Sequence, residues 1–346
     1  MPLRIELTPY RLPLRRPWRT AHGLMTDRTG WLVRAEADGL SGFGDCAPLP
    51  EAGTETAGQA QARLAQWQAQ SAAGAAALLA ALDTAASPAP AADCAVESAL
   101  LDLSARDQGL PLRRLLRPDA LDRIAINAML GPAATLATAA VEQAIGAGFR
   151  VLKLKVGMAS MAIELPRIEA AAALLPAGAR LRLDANGAWD EATAAMWIER
   201  LAGLPIDSLE EPLAEPEDGA LAHLQAQTPF DLALDESLAR HPAIAPSSLP
   251  VRRLVLKPAA LGGLRRTLRL AGQARAAGRE VVVTSLVSSA AGLWVEAQLA
   301  AATGSSLAHG LATADWLATD VGAPPPVENG MLLLPETPGS GCVATP

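Results

Sequence analysis

The chain has 346 residues, half of them hydrophobic and only 19% charged, with a formal net charge of -7. That composition excludes a disordered chain, and the scattering of its lysines and arginines argues against a surface built for nucleic acid or an anionic membrane. The length suits one large domain plus a smaller one, and the expected partner is a small molecule.

In chain order, the first twenty residues carry no apolar signal-peptide core, and no run reaches the roughly 18 apolar residues of a membrane span, so the expected location is the cytoplasm. RIELTPYRLPL and GWLVRAEADGLSGFGDCAPLP read as meander strands, and Gln59 to Asp107 reads as mostly helical. Residues 1–118 are therefore expected to form an α+β capping domain. Gly42-Phe43-Gly44 lacks the third glycine and the helix of a dinucleotide fingerprint. Cys46, Cys94 and Cys342 are far apart without CxxC spacing, which suits free thiols and gives no zinc site.

From Ile124 onward, short apolar strands alternate with Ala-rich amphipathic stretches, the signature of βα repetition. Strands are expected near 124–129, 151–155, 180–184, 206–210, 231–235, 253–257 and 280–284, with a poorer eighth near 306–310. Eight units predict a (β/α)8-type (modified TIM) barrel over 119–320. The Pro- and Gly-rich tail, 321–346, is expected to pack back on the cap. Oligomeric state is not legible. Trp189, Trp197, Trp294 and Trp316 are expected in the core or an interface, as large apolar side chains usually pack.

Five strands, VLKLK, RLRLD, DSLE, LALD and RLVLK, place a charged residue at the C-terminal end, on the parity opposite their Leu and Val residues. Side chains alternate faces along a strand, so the apolar set packs outward on helices while Lys153, Lys155, Asp184, Glu210, Asp235 and Lys257 turn into the barrel. The spacings from Lys155 through Asp184, Glu210 and Asp235 to Lys257 are 29, 26, 25 and 22 residues, one βα unit each. The five groups are thus expected on neighbouring strands at the C-terminal face, where barrel enzymes keep their active sites. Each acid alone could cap a helix, and the lysines alone could be solvated edge charges; the shared register favours a site. Three converging carboxylates repel unless a cation lies between them. An all-oxygen set favours Mg²⁺ first and Mn²⁺ second. With the ion holding a carboxylate and Lys155 as base, the set suits proton abstraction next to that carboxylate.

KLK at 153–155, DANGAW at 184–189, EEP at 210–212, DES at 235–237 and LKPAALGG at 256–263 resemble the muconate-lactonizing subgroup of the enolase superfamily, and within it the o-succinylbenzoate synthases. The resemblance spans nearly the whole chain, including GFGDCAPLP and AVESALLDLSARDQGLPL in the cap. It implies metal ligation by Asp184, Glu210 and Asp235, catalysis by Lys155, and a second active-site lysine, Lys257, that stabilises the intermediate. Lys153 completes the lysine set. The implied reaction is the syn-dehydration of 2-succinyl-6-hydroxy-2,4-cyclohexadiene-1-carboxylate to 2-succinylbenzoate in menaquinone biosynthesis.

TSLVSSAAGL at 284–293 resembles the segment that holds the succinyl carboxylate, which implicates Ser285 and then Ser289, while Asn186 and His22, on the cap loop at 19–30, are further candidates for touching substrate. Asp45 stands where the family's cap motif usually has Glu, which bears on cap packing. Racemases of N-succinylamino acids and dipeptide epimerases would share the metal site, with the two lysines as opposed bases. Dipeptide epimerases usually carry a D-x-D pair on the eighth strand, where this chain has Thr313-Ala314-Asp315. A non-catalytic barrel binding a small acid is the reading from another class.

Overall fold

The computed structural model describes residues 2–20, 23–83, 87–240 and 245–344. Its first layer is an antiparallel meander of β1 (Arg4–Thr20), β2 (Gly23–Ala37) and β3 (Leu40–Cys46). Helices α1 (Ala57–Ala69), α2 (Ala75–Leu82), α3 (Pro90–Asp107) and α4 (Leu112–Leu116) follow. Thr56 opens α1 with a reciprocal capping box to Gln59.

The central helix α3 is buried nearly all round, and Ala91, Ala95 and Ala99 let β3 approach it closely. A Cβ at Gly44 would lie 2.0 Å from the Ala95 carbonyl oxygen, and one at Gly42 would lie 2.2 Å from that of Ala99. The glycine pair therefore serves packing, because no side chain fits between this strand and helix.

Seven parallel strands form the barrel wall in sequence order: β5 (Ala128–Pro132), β6 (Val151–Lys155), β7 (Arg180–Asp184), β8 (Ile206–Glu210), β9 (Asp231–Leu234), β10 (Arg253–Leu256) and β11 (Glu280–Val283). Leu152, Leu154, Leu181, Leu183, Leu209, Leu232 and Leu254 face outward into one core. The helices around them are α5 (Thr138–Gly146), α6 (Met161–Ala173), α7 (Glu191–Leu201), α8 (Asp218–Gln227), α9 (Glu236–Arg240), α10 (Pro258–Leu261), α11 (Leu264–Ala276) and α12 (Ala290–Thr303). Among the described residues no helix is long and apolar enough to cross a membrane.

Two strand expectations change. The stretch expected as one strand at 124–129 divides: β4 (Arg123–Ala125) leaves the barrel to pair with β13 (Met331–Leu333), which also pairs with β12 (Val327–Glu328). The expected eighth strand is reduced to bridges from His309 to Ile126 and from Gly310 to Thr284.

The seam closes through His309 N–H to Ala125 O (2.8 Å), Asn127 N–H to His309 O (2.9 Å) and Gly310 N–H to Val283 O (2.9 Å). The His309 ring adds to this, its Nδ1 accepting from Val283 N–H at 2.9 Å. Burial and the nearby Arg182 guanidinium push that imidazole down to about 3, so it stays neutral in the wall.

After β13 the tail reaches the end of α3. Leu112 N–H bonds Gly339 O at 2.8 Å, and Ser340 N–H bonds Asp102 Oδ1 at 2.5 Å.

Gly44→Ala is expected to lower stability by about 2–3 kcal/mol through overpacking against α3. An unfolding midpoint equal to that of the wild type would contradict the close approach.

Candidate active site

Register builds the floor of the site. Lys155, Asp184 and Glu210 stand side by side at the ends of β6, β7 and β8. Asp235 and Lys257 each lie one residue beyond the end of their strand, β9 and β10. The C-terminal mouth opens into a cavity of about 660 Å³ lined by Lys153, Lys155, Asp184, Asn186, Asp235, Glu236 and Lys257. Glu210 is fully buried and does not line it.

The charges are paired. Lys153 Nζ lies 2.9 Å from Asp184 Oδ2 and also bonds Glu210 Oε2, while Lys257 Nζ lies 2.7 Å from Asp235 Oδ1 and 3.6 Å from Glu236 Oε1. Burial opposes the charge on Lys153, but Asp184, Glu210 and Asp235 hold it above the ordinary lysine range. Lys257 is held up in the same way by Asp235 and then Glu236. Burial, with Glu236 next, raises the carboxyl of Asp235 well above its usual value, against the pull of Lys257 and Lys153.

Lys155 differs from both. Its Nζ donates to Asn186 Oδ1 at 3.1 Å and lies 5.6 Å from the ring centroid of Trp18. Asn186 Nδ2 in turn donates to Glu236 Oε1 at 3.1 Å, so one amide orients the lysine of β6 against the acid after β9.

Glu211 braces the loop that carries Asp235. Its Oε1 accepts from the backbone of Asp235 (2.6 Å) and Ser237 (2.9 Å), and its Oε2 accepts from Ser237 Oγ (2.7 Å). Asn186, Glu211 and Val287 have φ of 45°, 41° and 56°, and all three line the cavity. Such left-handed backbone outside glycine costs of order 1–3 kcal/mol and persists where the surroundings over-determine it, commonly at sites of function.

The donor chemistry of Asp184, Glu210 and Asp235 suits a hard divalent cation: the ligands are all oxygens, and Glu210 Oε1 is buried without a hydrogen-bond donor. As the side chains stand, no three ligand groups among the described residues converge on a metal position. The reason is that the Lys153 ammonium lies between two of the acids and Lys257 lies against the third.

The rest of the cavity is mostly apolar and hydroxyl-bearing. Ser285 lines it, its Oγ 2.7 Å from Thr313 Oγ1. Ser289 does not; it is buried at the start of α12, where its N–H bonds Asp45 Oδ2 at 2.9 Å. His22 falls outside the described residues. Trp316, expected in the core or an interface, borders the cavity edge-on to Trp18, with ring centroids 5.4 Å apart, whereas Trp189 and Trp197 stack away from it in the core. Trp18, Glu51, Met158 and Thr313 also line the cavity; none belongs to a charged motif, and only the fold brings them there.

The chain matches two family models: mandelate racemase / muconate lactonizing enzyme, N-terminal domain, over residues 4–117, and enolase C-terminal domain-like over residues 135–345. A hydrophobic dipeptide epimerase of Roseobacter litoralis is 29% identical, covering 99% of both chains. An o-succinylbenzoate synthase of Yersinia pseudotuberculosis is 30% identical over 92% of each. A chloromuconate cycloisomerase of Cupriavidus necator is 28% identical, over 85% of this chain and 84% of that protein. Among solved structures, the L-Ala-D/L-Glu epimerase from Bacillus subtilis superposes with a TM-score of 0.87 at 25% identity, covering 98% of this chain and 97% of the other. The chain belongs to the enolase superfamily.

Glu211→Ala is expected to cost about 2–3 kcal/mol by leaving the Asp235 loop without its three acceptor bonds. Denaturant unfolding checks this, and an unchanged midpoint would mean that the loop holds itself.

Proposed function

We propose that this member of the enolase superfamily is an o-succinylbenzoate synthase that dehydrates 2-succinyl-6-hydroxy-2,4-cyclohexadiene-1-carboxylate in the cytoplasm, as a step of menaquinone biosynthesis. The observation that carries this reading is an asymmetry between the two lysines. Lys257 is a cation fixed by Asp235 and Glu236, whereas Lys155 is held by a neutral amide. One lysine is set to move protons and the other to supply fixed charge.

Asp184, Glu210 and Asp235 would hold Mg²⁺ or Mn²⁺, which supplies positive charge against the substrate carboxylate while its α-carbon loses a proton. Lys155 takes that proton and then returns it to the hydroxyl leaving from the same face, which makes the elimination syn. Asn186 keeps Lys155 aimed across the cavity, and Lys257 lies against the negative charge that develops. Trp18 and Trp316 give the ring an apolar wall, and Ser285 with Thr313 offers hydroxyls to the succinyl end.

Racemisation of N-succinylamino acids, which would use Lys155 and Lys257 as opposed bases, is the second reading. It draws support from the full-length similarity to an epimerase. The dipeptide version is weaker, because Thr313 borders the cavity where an acid would meet a substrate ammonium, and Asp315 is exposed. A purely binding role leaves the two differently held lysines without a purpose.

The test is an assay of the purified chain with Mg²⁺, offering the cyclohexadiene carboxylate beside N-succinyl amino acids. Dehydration should dominate, and Lys155→Ala should abolish it while divalent-ion binding persists; near-normal rates in that variant would remove Lys155 as the base. Asp235→Asn should weaken Mg²⁺ affinity by about tenfold or more, measured by calorimetry. Absence of both dehydration and solvent-deuterium exchange at any substrate α-carbon would leave only the binding role.

A further inference from the structure

Two loops from different parts of the chain form one wall of the cavity. The cap loop after β3 supplies Leu49, Glu51 and Ala52, and the barrel loop after β11 supplies Ser285, Leu286 and Val287. Leu49, Ala52 and Leu286 share one apolar cluster, while Val287 packs with Leu12, Leu14 and Leu317.

One buried guanidinium joins the two loops. Arg28, on β2, is 3% exposed and donates to three carbonyls: Nη2 to Ala47 O at 2.6 Å, Nη1 to Pro48 O at 3.0 Å, and Nε to Val287 O at 3.2 Å. Val287 is the residue with left-handed backbone on the barrel side, a conformation that a β-branched side chain strongly disfavours. A second tie lies beside it: Asp45 receives Ser289 N–H at 2.9 Å and Tyr10 Oη–H at 2.5 Å. The loops are therefore fixed by the cap, since the bonds that hold Val287 and Ser289 come from β2 and β3.

We propose that Arg28 is a positioning residue for substrate selection, its three-pronged hold fixing the cavity wall made by Leu49, Ala52, Leu286 and Val287. This rests on the dehydratase reading of the site. Neither loop carries the lysines or the acids of the floor, so loosening the wall changes how the body of the substrate is held and leaves proton abstraction alone. Loss of such binding, equal in ground state and transition state, raises KM with kcat unchanged.

Arg28 also has an electrostatic duty, which the test must separate. Glu296 is buried and Asp45 half-buried nearby; burial raises both carboxyls, and the arginine's charge opposes that rise. Arg28→Lys keeps that charge, but a single ammonium cannot span three carbonyls in a fixed plane.

The experiment is steady-state kinetics of the full chain with Mg²⁺ and the cyclohexadiene carboxylate. Arg28→Lys should raise KM about tenfold, the effect of losing hydrogen bonds to a charged group, with kcat within about twofold of wild type. Glu296→Gln, which removes a neighbouring buried acid while its amide oxygen can still accept from Ser288 Oγ of the barrel loop, should leave KM unchanged. A folded Arg28→Lys with wild-type KM overturns the proposal, as does a fall in kcat at constant KM. If Arg28→Lys does not fold, Arg28→Gln combined with Glu296→Gln, which removes a buried acid together with the arginine's charge, carries the same expectation, and failure of both to fold assigns Arg28 a purely structural role. If the wild-type chain turns over neither the cyclohexadiene carboxylate nor N-succinyl amino acids, the functional reading itself fails, a result seen before any variant is made.

Discussion

The interior of this barrel is held by alternating charge, and the site depends on that arrangement. From the N-terminal mouth, Glu280 and Asp231 meet Arg253, Arg253 meets Asp207, Asp207 meets Arg182, and Arg182 Nε lies 3.8 Å from Glu210. Lys153 then joins Glu210 to Asp184 at the C-terminal mouth. Parallel barrels usually fill this space with branched apolar side chains. A buried charge stripped of its partner costs several kcal/mol, so each member of the column fixes the next. The acids of the candidate site are the upper rungs of a structural ladder.

That dependence explains the form of the eighth position. A regular strand there would add its own ladder of backbone bonds, yet the chain offers Ser305, Ser306, His309 and Gly310, which are poor strand formers. Arg182 reaches across the interior to Ala308 O at 2.9 Å and Asn127 Oδ1 at 3.2 Å, and neutral His309 fills the seam. The same arginine therefore stands under Glu210 and helps to close the wall.

The cap and the barrel divide the labour of the cavity. The floor is rigid and charged, made by strand ends, whereas the upper walls are loops whose strained backbone the cap holds in place. Asp45, the residue that departs from the family's usual Glu, turns out to anchor the barrel loop at Ser289 and Tyr10 of its own sheet. A carboxylate one carbon shorter still reaches, because Gly292 leaves room at the start of α12, where a Cβ would lie 2.8 Å from Asp45 Oδ2.

Much of this was legible in the sequence. Alternation of Leu with charge in VLKLK, RLRLD, IDSLE, DLALD and RLVLK fixes which face is inward, and the spacing of one βα unit between charges fixes which end they share. Those are local rules, and a strand's two-residue period obeys them whatever surrounds it. The division of 124–129 into two pairings, the loss of a regular eighth strand and the exclusion of Ser289 from the cavity were not legible, because each turns on a partner hundreds of residues away or on a close approach of backbones. The sequence by itself determined which charged residues meet and at which end of the barrel. Only the tertiary structure decided how they pair, with Lys153 inserted among the acids and Lys257 set apart from Lys155, because ion pairing depends on distances of a few ångströms that spacing along a chain does not encode.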